Sequence, residues 1–204
     1  MIELLIATTN PGKFAEVQAF LSRLLIRIRS LYDLENWPAV AEDGATFEAN
    51  ALKKARTLAD YSGLLTLADD SGLEVDALGG APGIFSARYC GEEGNDDENN
   101  RKLLGELAGV TGAQRSGRFV CALALCAPDA SVMSDWTVRE SCEGFIAFEI
   151  KGANGFGYDP LFFYPPFGKT FGEIDLETKA TVSHRGKALK KLADALPKLV
   201  DLAG

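Results

Sequence analysis

Gly63-Leu64-Leu65-Thr66-Leu67-Ala68-Asp69-Asp70-Ser71-Gly72-Leu73 is a short apolar run that ends in two acids. Residues 64–68 are apolar apart from Thr66, which predicts a short interior strand. Neighbouring strand residues face opposite ways, so Asp69 and Asp70 cannot address the same side. The strand is expected to end before the acids, and Ser71-Gly72 to turn the chain. One carboxylate would then face the crevice at the strand end, where open α/β sheets bind ligands. A turn acid pair that caps the next segment fits the same residues.

The N-terminal stretch carries a second signal. Residues 2–7 read as an apolar strand, followed at once by Thr8-Thr9-Asn10-Pro11-Gly12-Lys13. Phe14, Val17, Leu21, Leu24 and Leu25 then recur at helical spacing on one face. Asn10 suits an N-cap and Pro11 the first helical position. Unbonded backbone N–H groups and the helix dipole favour an anion there, and Lys13 adds a cation. The spacing is not that of a Walker loop. An ordinary strand-to-helix turn with a surface lysine is the competing reading. The acids at 69 and 70 favour phosphate, because a polyphosphate with a divalent cation needs both kinds of group.

Further out, residues 26–30 predict an edge strand, 32–43 a loop and 46–61 a helix with Phe47, Ala51, Ala55, Leu58 and Ala59 on one face. Residues 73–78 read as a second strand or turn, and 79–83 as a flexible loop. Residues 95–108 predict a helix. Residues 118–127 and 132–142 predict strands, joined through Pro128-Asp129-Ala130 as an antiparallel hairpin. Tyr164-Pro165-Pro166 reads as loop. Residues 183–202 predict a final helix striped by Leu189, Leu192, Leu196 and Leu199, which Pro197 should kink or end early. Early strands alternate with helices and later ones form hairpins. The expected class is α/β, a mixed sheet with a central cleft between its parallel and antiparallel parts.

Composition limits the function. The chain has 204 residues, 47% hydrophobic and 25% charged, as in one soluble domain or a compact two-lobed body. No apolar run approaches the ~18 residues of a membrane span. The start lacks a basic stretch followed by a long apolar one, so neither signal peptide nor membrane partner is expected. Cys90, Cys121, Cys126 and Cys142 show no C-x-x-C spacing, which fits a reducing cytoplasm. A net charge of -8 argues against a nucleic-acid partner. His184 is the one histidine, which excludes a His-rich metal site and leaves oxygen ligands suited to Mg²⁺.

Three further pieces complete a candidate site. Gly155-Phe156-Gly157-Tyr158-Asp159-Pro160 offers aromatic faces for a base and a carboxylate for a ring N–H, or is a structural turn. Lys179 and Ser183-His184-Arg185 form a donor set suited to a 6-oxo purine, or a capped helix with solvated bases. Glu42 precedes the second helix as a possible partner for Asp70, or as an acid at a helix entry.

Taken together, these motifs closely resemble the inosine/xanthosine triphosphate pyrophosphatase family, nearly end to end. The resemblance also covers Glu42-Asp43-Gly44-Ala45-Thr46-Phe47 and Gly80-Ala81-Pro82-Gly83-Ile84-Phe85-Ser86-Ala87-Arg88-Tyr89. It implies Mg²⁺-dependent hydrolysis of ITP, dITP and XTP to monophosphate and pyrophosphate, which keeps these bases out of DNA and RNA. It implies that Asp70 is the catalytic acid and a metal ligand, with Glu42 as the second metal carboxylate. Thr8, Thr9, Asn10, Pro11, Gly12 and Lys13 become a substrate-binding segment with Lys13 on the phosphates. Ser71, Phe156, Gly157, Tyr158, Asp159, Lys179, His184 and Arg185 become nucleotide contacts, and Lys54 and Arg88 match further basic positions. The family further implies one elongated pyrophosphatase domain over residues 1–204, two lobes with the substrate between them, and a homodimer. Ala49 departs from the pattern, since the family often has Glu there; Glu48 would point roughly a quarter-turn away. A pyrophosphatase for another modified nucleotide, or a nucleotide sensor without turnover, remains as an alternative.

Overall fold

The computed structural model describes residues 2–22, 24–91, 95–129 and 133–201. Ala130, Val132 and Leu202, expected in a turn, a strand and a helix, lie outside the described residues. Among those described, seven strands form one sheet in the order β2-β1-β3-β4-β5-β6-β7. They are β1 (Ile2–Ala7), β2 (Ile26–Ser30), β3 (Leu65–Val75), β4 (Ser116–Cys126), β5 (Trp136–Ile146), β6 (Phe162–Tyr164) and β7 (Lys169–Thr170). β1 runs parallel to both β2 and β3, whereas β6 is antiparallel to β5 and β7. The mixed α/β class is the expected one.

Five helices accompany the sheet among the described residues: α1 (Pro11–Leu21), α2 (Phe47–Ser62), α3 (Asp96–Glu106), α4 (Leu176–Val182) and α5 (His184–Asp201). Local chemistry sets their starts. Asn10 Oδ1 accepts the Lys13 N–H at 3.0 Å, and Pro11 opens α1. Thr46 Oγ1 accepts the Ala49 N–H at 3.1 Å, and Gly63, at φ +68°, closes α2. β1 has a neighbour on each side and buries Leu4, Leu5, Ile6 and Ala7, which explains its unbroken apolar run. β2 is the edge, as expected, and its Arg27 and Arg29 discourage further strand pairing.

The chain divides into two compact units. The first takes the described residues of 1–70, 121–140 and 185–204, the second those of 71–120 and 141–184. In the first, α1 and α5 pack Val17, Leu21, Leu189 and Leu192 against Leu4, Ile6, Leu67 and Leu123 of the sheet. In the second, Leu103 of α3 joins Leu73, Val75, Phe119, Phe162 and Phe171. Each fully buried leucine contributes about 1.5–3 kcal/mol relative to exposure.

Several elements differ from expectation. β3 does not stop before the acids; it continues through Asp69, Asp70, Ser71 and Gly72 to Val75, and a 3₁₀ turn (Asp76–Leu78) follows. The strand tolerates Asp69 because the buried Arg185 and the partly buried Lys13 pair with it. α1 ends at Leu21, so Leu24 and Leu25 lie beyond it, and Leu25 is 89% exposed. The loop at 32–43 opens within a 3₁₀ turn (Leu31–Asp33), and Tyr164-Pro165-Pro166 is the end of β6 plus a 3₁₀ turn (Pro165–Phe167). α5 passes Pro197 and reaches Asp201, held by the buried Leu189, Leu192 and Leu196 and by Leu199 packed beside them. α4, at seven residues, is too short for periodicity to reveal.

Candidate active site

Asp69 and Asp70 point to opposite faces of β3, and both are buried. Their surroundings differ. Asp69 accepts Arg185 Nε at 2.8 Å and the Cys121 thiol at 3.3 Å, and lies 2.7 Å from Lys13 Nζ. Arg185, fully buried, also pairs with Glu16. Burial opposes ionisation of Asp69, but Arg185 and Lys13 outweigh it and hold the carboxyl well below the usual carboxylate range. Burial likewise disfavours the Lys13 and Arg185 cations, yet Asp69 reverses this and both pKa values lie above their ordinary values.

Asp70 is the reverse case. Its Oδ2 is buried and has no hydrogen-bond partner. Burial pushes its pKa up, and the like charge of Glu42 adds to this. Lys13, Lys54 and Asn50 pull the other way without cancelling it. Glu42 stands in the segment before α2, and Lys54 on α2. The Lys54 ammonium pairs with Glu42 and donates to the Asp69 carbonyl at 3.0 Å. Asn50, one helical turn before Lys54, accepts the Gly44 N–H at 2.7 Å. A Cβ on Gly44 would stand 2.7 Å from Asn50 Oδ1, so this close approach requires glycine. The Asn50 Nδ2 forms no hydrogen bond of good geometry, although the amide dipole favours the Asp70 anion.

The oxygens of Asp70 and Glu42 fit Mg²⁺. This ion binds through one or two carboxylates and completes its shell with water and substrate phosphates. An unpartnered carboxylate oxygen beside a second carboxylate is such a donor set. No group of three or more His, Cys, Asp or Glu side chains suited to a metal occurs among the described residues. Glu48 does not replace the acid missing at Ala49, since it pairs with Arg139 at 3.5 Å.

The loop ahead of α1 is organised from within. Thr8 Oγ1 accepts the Asn10 N–H at 3.1 Å, and the Asn10 cap takes the Lys13 N–H. Pro11 has no N–H. The first helical turn therefore offers fewer backbone donors than its position alone implies. The Lys13 ammonium, held by Asp69, is the loop's charged group. Thr9, Asn10 and Pro11 are exposed, Gly12 is half-buried, and Ser71 follows Asp70 half-buried on β3.

The second unit gathers another part of the expected set. Asp159 Oδ2 accepts the Phe156 N–H at 2.9 Å and Lys179 Nζ at 2.5 Å. The Lys179 ammonium lies 4.9 Å from the centre of the Phe156 ring. The Tyr158 hydroxyl donates to the Ser86 carbonyl at 2.8 Å. The His184 ring stacks on Phe119 with centroids 4.7 Å apart. Arg88 lies over the Phe85 ring at 5.2 Å. Arg185 belongs to the first unit, where its guanidinium is bonded to Asp69 and Glu16. Sequence reasoning missed Asn50 and Glu16. Asn50 had a signal: it sits three residues after Phe47 on the buried face of α2, where a polar residue needs a partner.

Residues 4–195 match the model of the Ham1 family. The chain is 50% identical over 195 residues to a dITP/XTP pyrophosphatase of Exiguobacterium sibiricum, covering 96% of this chain and 97% of that one. It is 48% identical over 198 residues to a dITP/XTP pyrophosphatase of Desulforamulus reducens, covering 97% of each. Its fold matches a HAM1 protein from Coxiella burnetii with a TM-score of 0.86 and 40% identity, over 97% of this chain and 100% of that one.

Proposed function

The chain belongs to the Ham1 family, and on that footing we propose that it is a pyrophosphatase for dITP, ITP and XTP, working with Mg²⁺ and clearing deaminated purines from the nucleotide pool. Its relatives named dITP/XTP pyrophosphatase support the substrate class. The observation that carries the chemistry is Asp70, a buried acid whose Oδ2 has no partner, beside Glu42, Lys13 and Lys54.

Held by Asp70 and Glu42, Mg²⁺ would offset negative charge on the phosphate oxygens. Asp70 orients a water against the α-phosphorus and takes its proton on the carboxylate oxygen not given to the ion. The new bond joins the water oxygen to the α-phosphorus. The bond from that phosphorus to the α–β bridging oxygen breaks, and pyrophosphate leaves with the electron pair. Lys13 and Lys54 stabilise the charge on the polyphosphate. In the second unit, Lys179 and His184 donate to the 6-oxo group, and Phe156 offers a stacking face. Adenine's 6-amino group would meet donors with donors and leave them unpaired, a strong basis for rejection. Guanine shares the 6-oxo group, so its exclusion rests on the 2-position. Arg185 acts through Asp69 in this reading.

The reading also places the chain in the cytoplasm as a homodimer, on free nucleotides. No helix among the described residues is long and apolar enough to cross a membrane, and the cysteines are free thiols. The dimer rests on family resemblance, and light scattering after gel filtration tests it; a monomer mass removes it. The function is tested by pyrophosphate and orthophosphate release from dITP, XTP, ITP, GTP and ATP, with Mg²⁺ or EDTA. Metal-dependent pyrophosphate from the first three, with little from GTP or ATP, is expected. Orthophosphate would move the attack to the terminal phosphorus. Tight binding without turnover would make the chain a sensor.

A further inference from the structure

Gly157 lies in the Phe156–Asp159 loop at φ +61°, a left-handed conformation that glycine adopts without strain. Both polar groups of its backbone are held from α3. Asp96, the first residue of that helix, accepts the Gly157 N–H through Oδ2 at 2.7 Å. Asn100, one turn on, donates Nδ2 to the Gly157 carbonyl at 2.8 Å. The i, i+4 spacing puts the two side chains on one helix face, so a single rigid element grips both ends of the residue. On either side of Gly157, Phe156 and Asp159 are tied to each other, and Asp159 to Lys179. Asn100 is 3% exposed, whereas Asp96 is exposed and can be truncated without opening a core.

We propose that Asp96 and Asn100 are positioning residues for purine selection. By fixing Gly157 they set where the Phe156 ring and the Asp159–Lys179 pair stand. The inference rests on the reading of that loop and lysine as the base site. A merely structural role has a different signature. Asp96 also favours the N-terminus of α3 through the helix dipole, and loss of that effect alone would weaken all substrates equally.

The test measures kcat and KM for dITP and ATP in the wild-type chain, Asp96→Ala, Asp96→Asn and Asn100→Asp. Asp96→Ala should lower the dITP:ATP ratio of kcat/KM by about tenfold, chiefly through KM for dITP. Asp96→Asn keeps an acceptor of the same length and should stay within about twofold of wild type. Asn100→Asp replaces the donor at constant shape and should shift the ratio in the same direction as Asp96→Ala. An unchanged ratio in Asp96→Ala, or an Asp96→Asn as impaired as the alanine variant, would overturn the proposal. A wild-type chain with no preference for dITP over ATP would instead remove the functional reading, and the positioning role with it.

Discussion

Each unit buries a carboxylate against a lysine, and the two pairs are used differently. In the second unit, Asp159 accepts both the Lys179 ammonium and the Phe156 N–H, so its charge organises a loop. In the first unit the work is divided between neighbours on one strand. Asp69 takes Arg185, Lys13 and the Cys121 thiol, while Asp70 keeps a buried oxygen without a partner. A satisfied buried acid builds structure, and an unsatisfied one is poised for something the fold does not supply.

The sharpest way to break this contrast is to neutralise each neighbour in turn. Asp70→Asn should cut kcat for pyrophosphate release by about 10²–10⁴-fold, the usual worth of a positioned general base. Its thermal stability should equal or exceed that of wild type, because the fold disfavours the Asp70 anion. Near-normal turnover in this variant would end the assignment. Asp69→Asn should do the opposite to the fold. It removes the carboxylate that faces the buried Arg185 and the partly buried Lys13, a loss of about 3–5 kcal/mol, or roughly 10 °C in Tm for a chain of this size. A variant that melts with wild type would show that Glu16 alone suffices for Arg185.

Acid should expose the same difference more gently. The folded pKa of Asp69 lies well below its ordinary 3.8, so the native state holds this proton more weakly than the unfolded chain. Its stabilisation is complete above the unfolded value and is lost as pH falls through the folded one. Asp70, shifted upward, acts with opposite sign: its cost is present at neutral pH and relieved on acidification. Melting curves of wild type and Asp69→Asn at descending pH should therefore converge below about pH 4. A constant gap would assign the stabilisation to packing rather than charge.

What could be read from the chain beforehand divides along the same line. The Asn10 cap depends on a group three residues away and is where the residue type places it, whereas Thr46, read as the first helical residue, proves to be the cap of α2. The length of β3 depends on partners far along the chain. Asp69 stays inside the ladder because Arg185, 116 residues away, folds back onto it. Asp70 and Glu42 stood out as two acids, Asp70 at an expected strand end that β3 in fact runs through to Val75. The Asn50 contact to Gly44, which ties the Glu42 segment to α2, was legible only as a polar residue on a buried face. The grip of α3 on Gly157 spans 57 and 61 residues and had no periodic signature at all.

The smallest expected effect concerns the position where the family resemblance breaks. Ala49 is exposed, and its Cβ would lie 3.0 Å from a Cβ on Gly44, so a longer side chain there starts beside the segment that carries Glu42. Glu48 cannot serve instead while it pairs with Arg139. Ala49→Glu should lower the Mg²⁺ concentration for half-maximal activity by about threefold and leave kcat at saturating Mg²⁺ unchanged. An exposed carboxylate adds charge near the ion but is screened by water and salt. Direct titration with Mn²⁺, followed by the loss of the free-ion EPR signal, should show the same tightening. If affinity is unchanged, the two carboxylates already meet what a phosphate-bound cation needs. If it weakens, repulsion among three acids outweighs the added ligand, and alanine is the better residue in this chain.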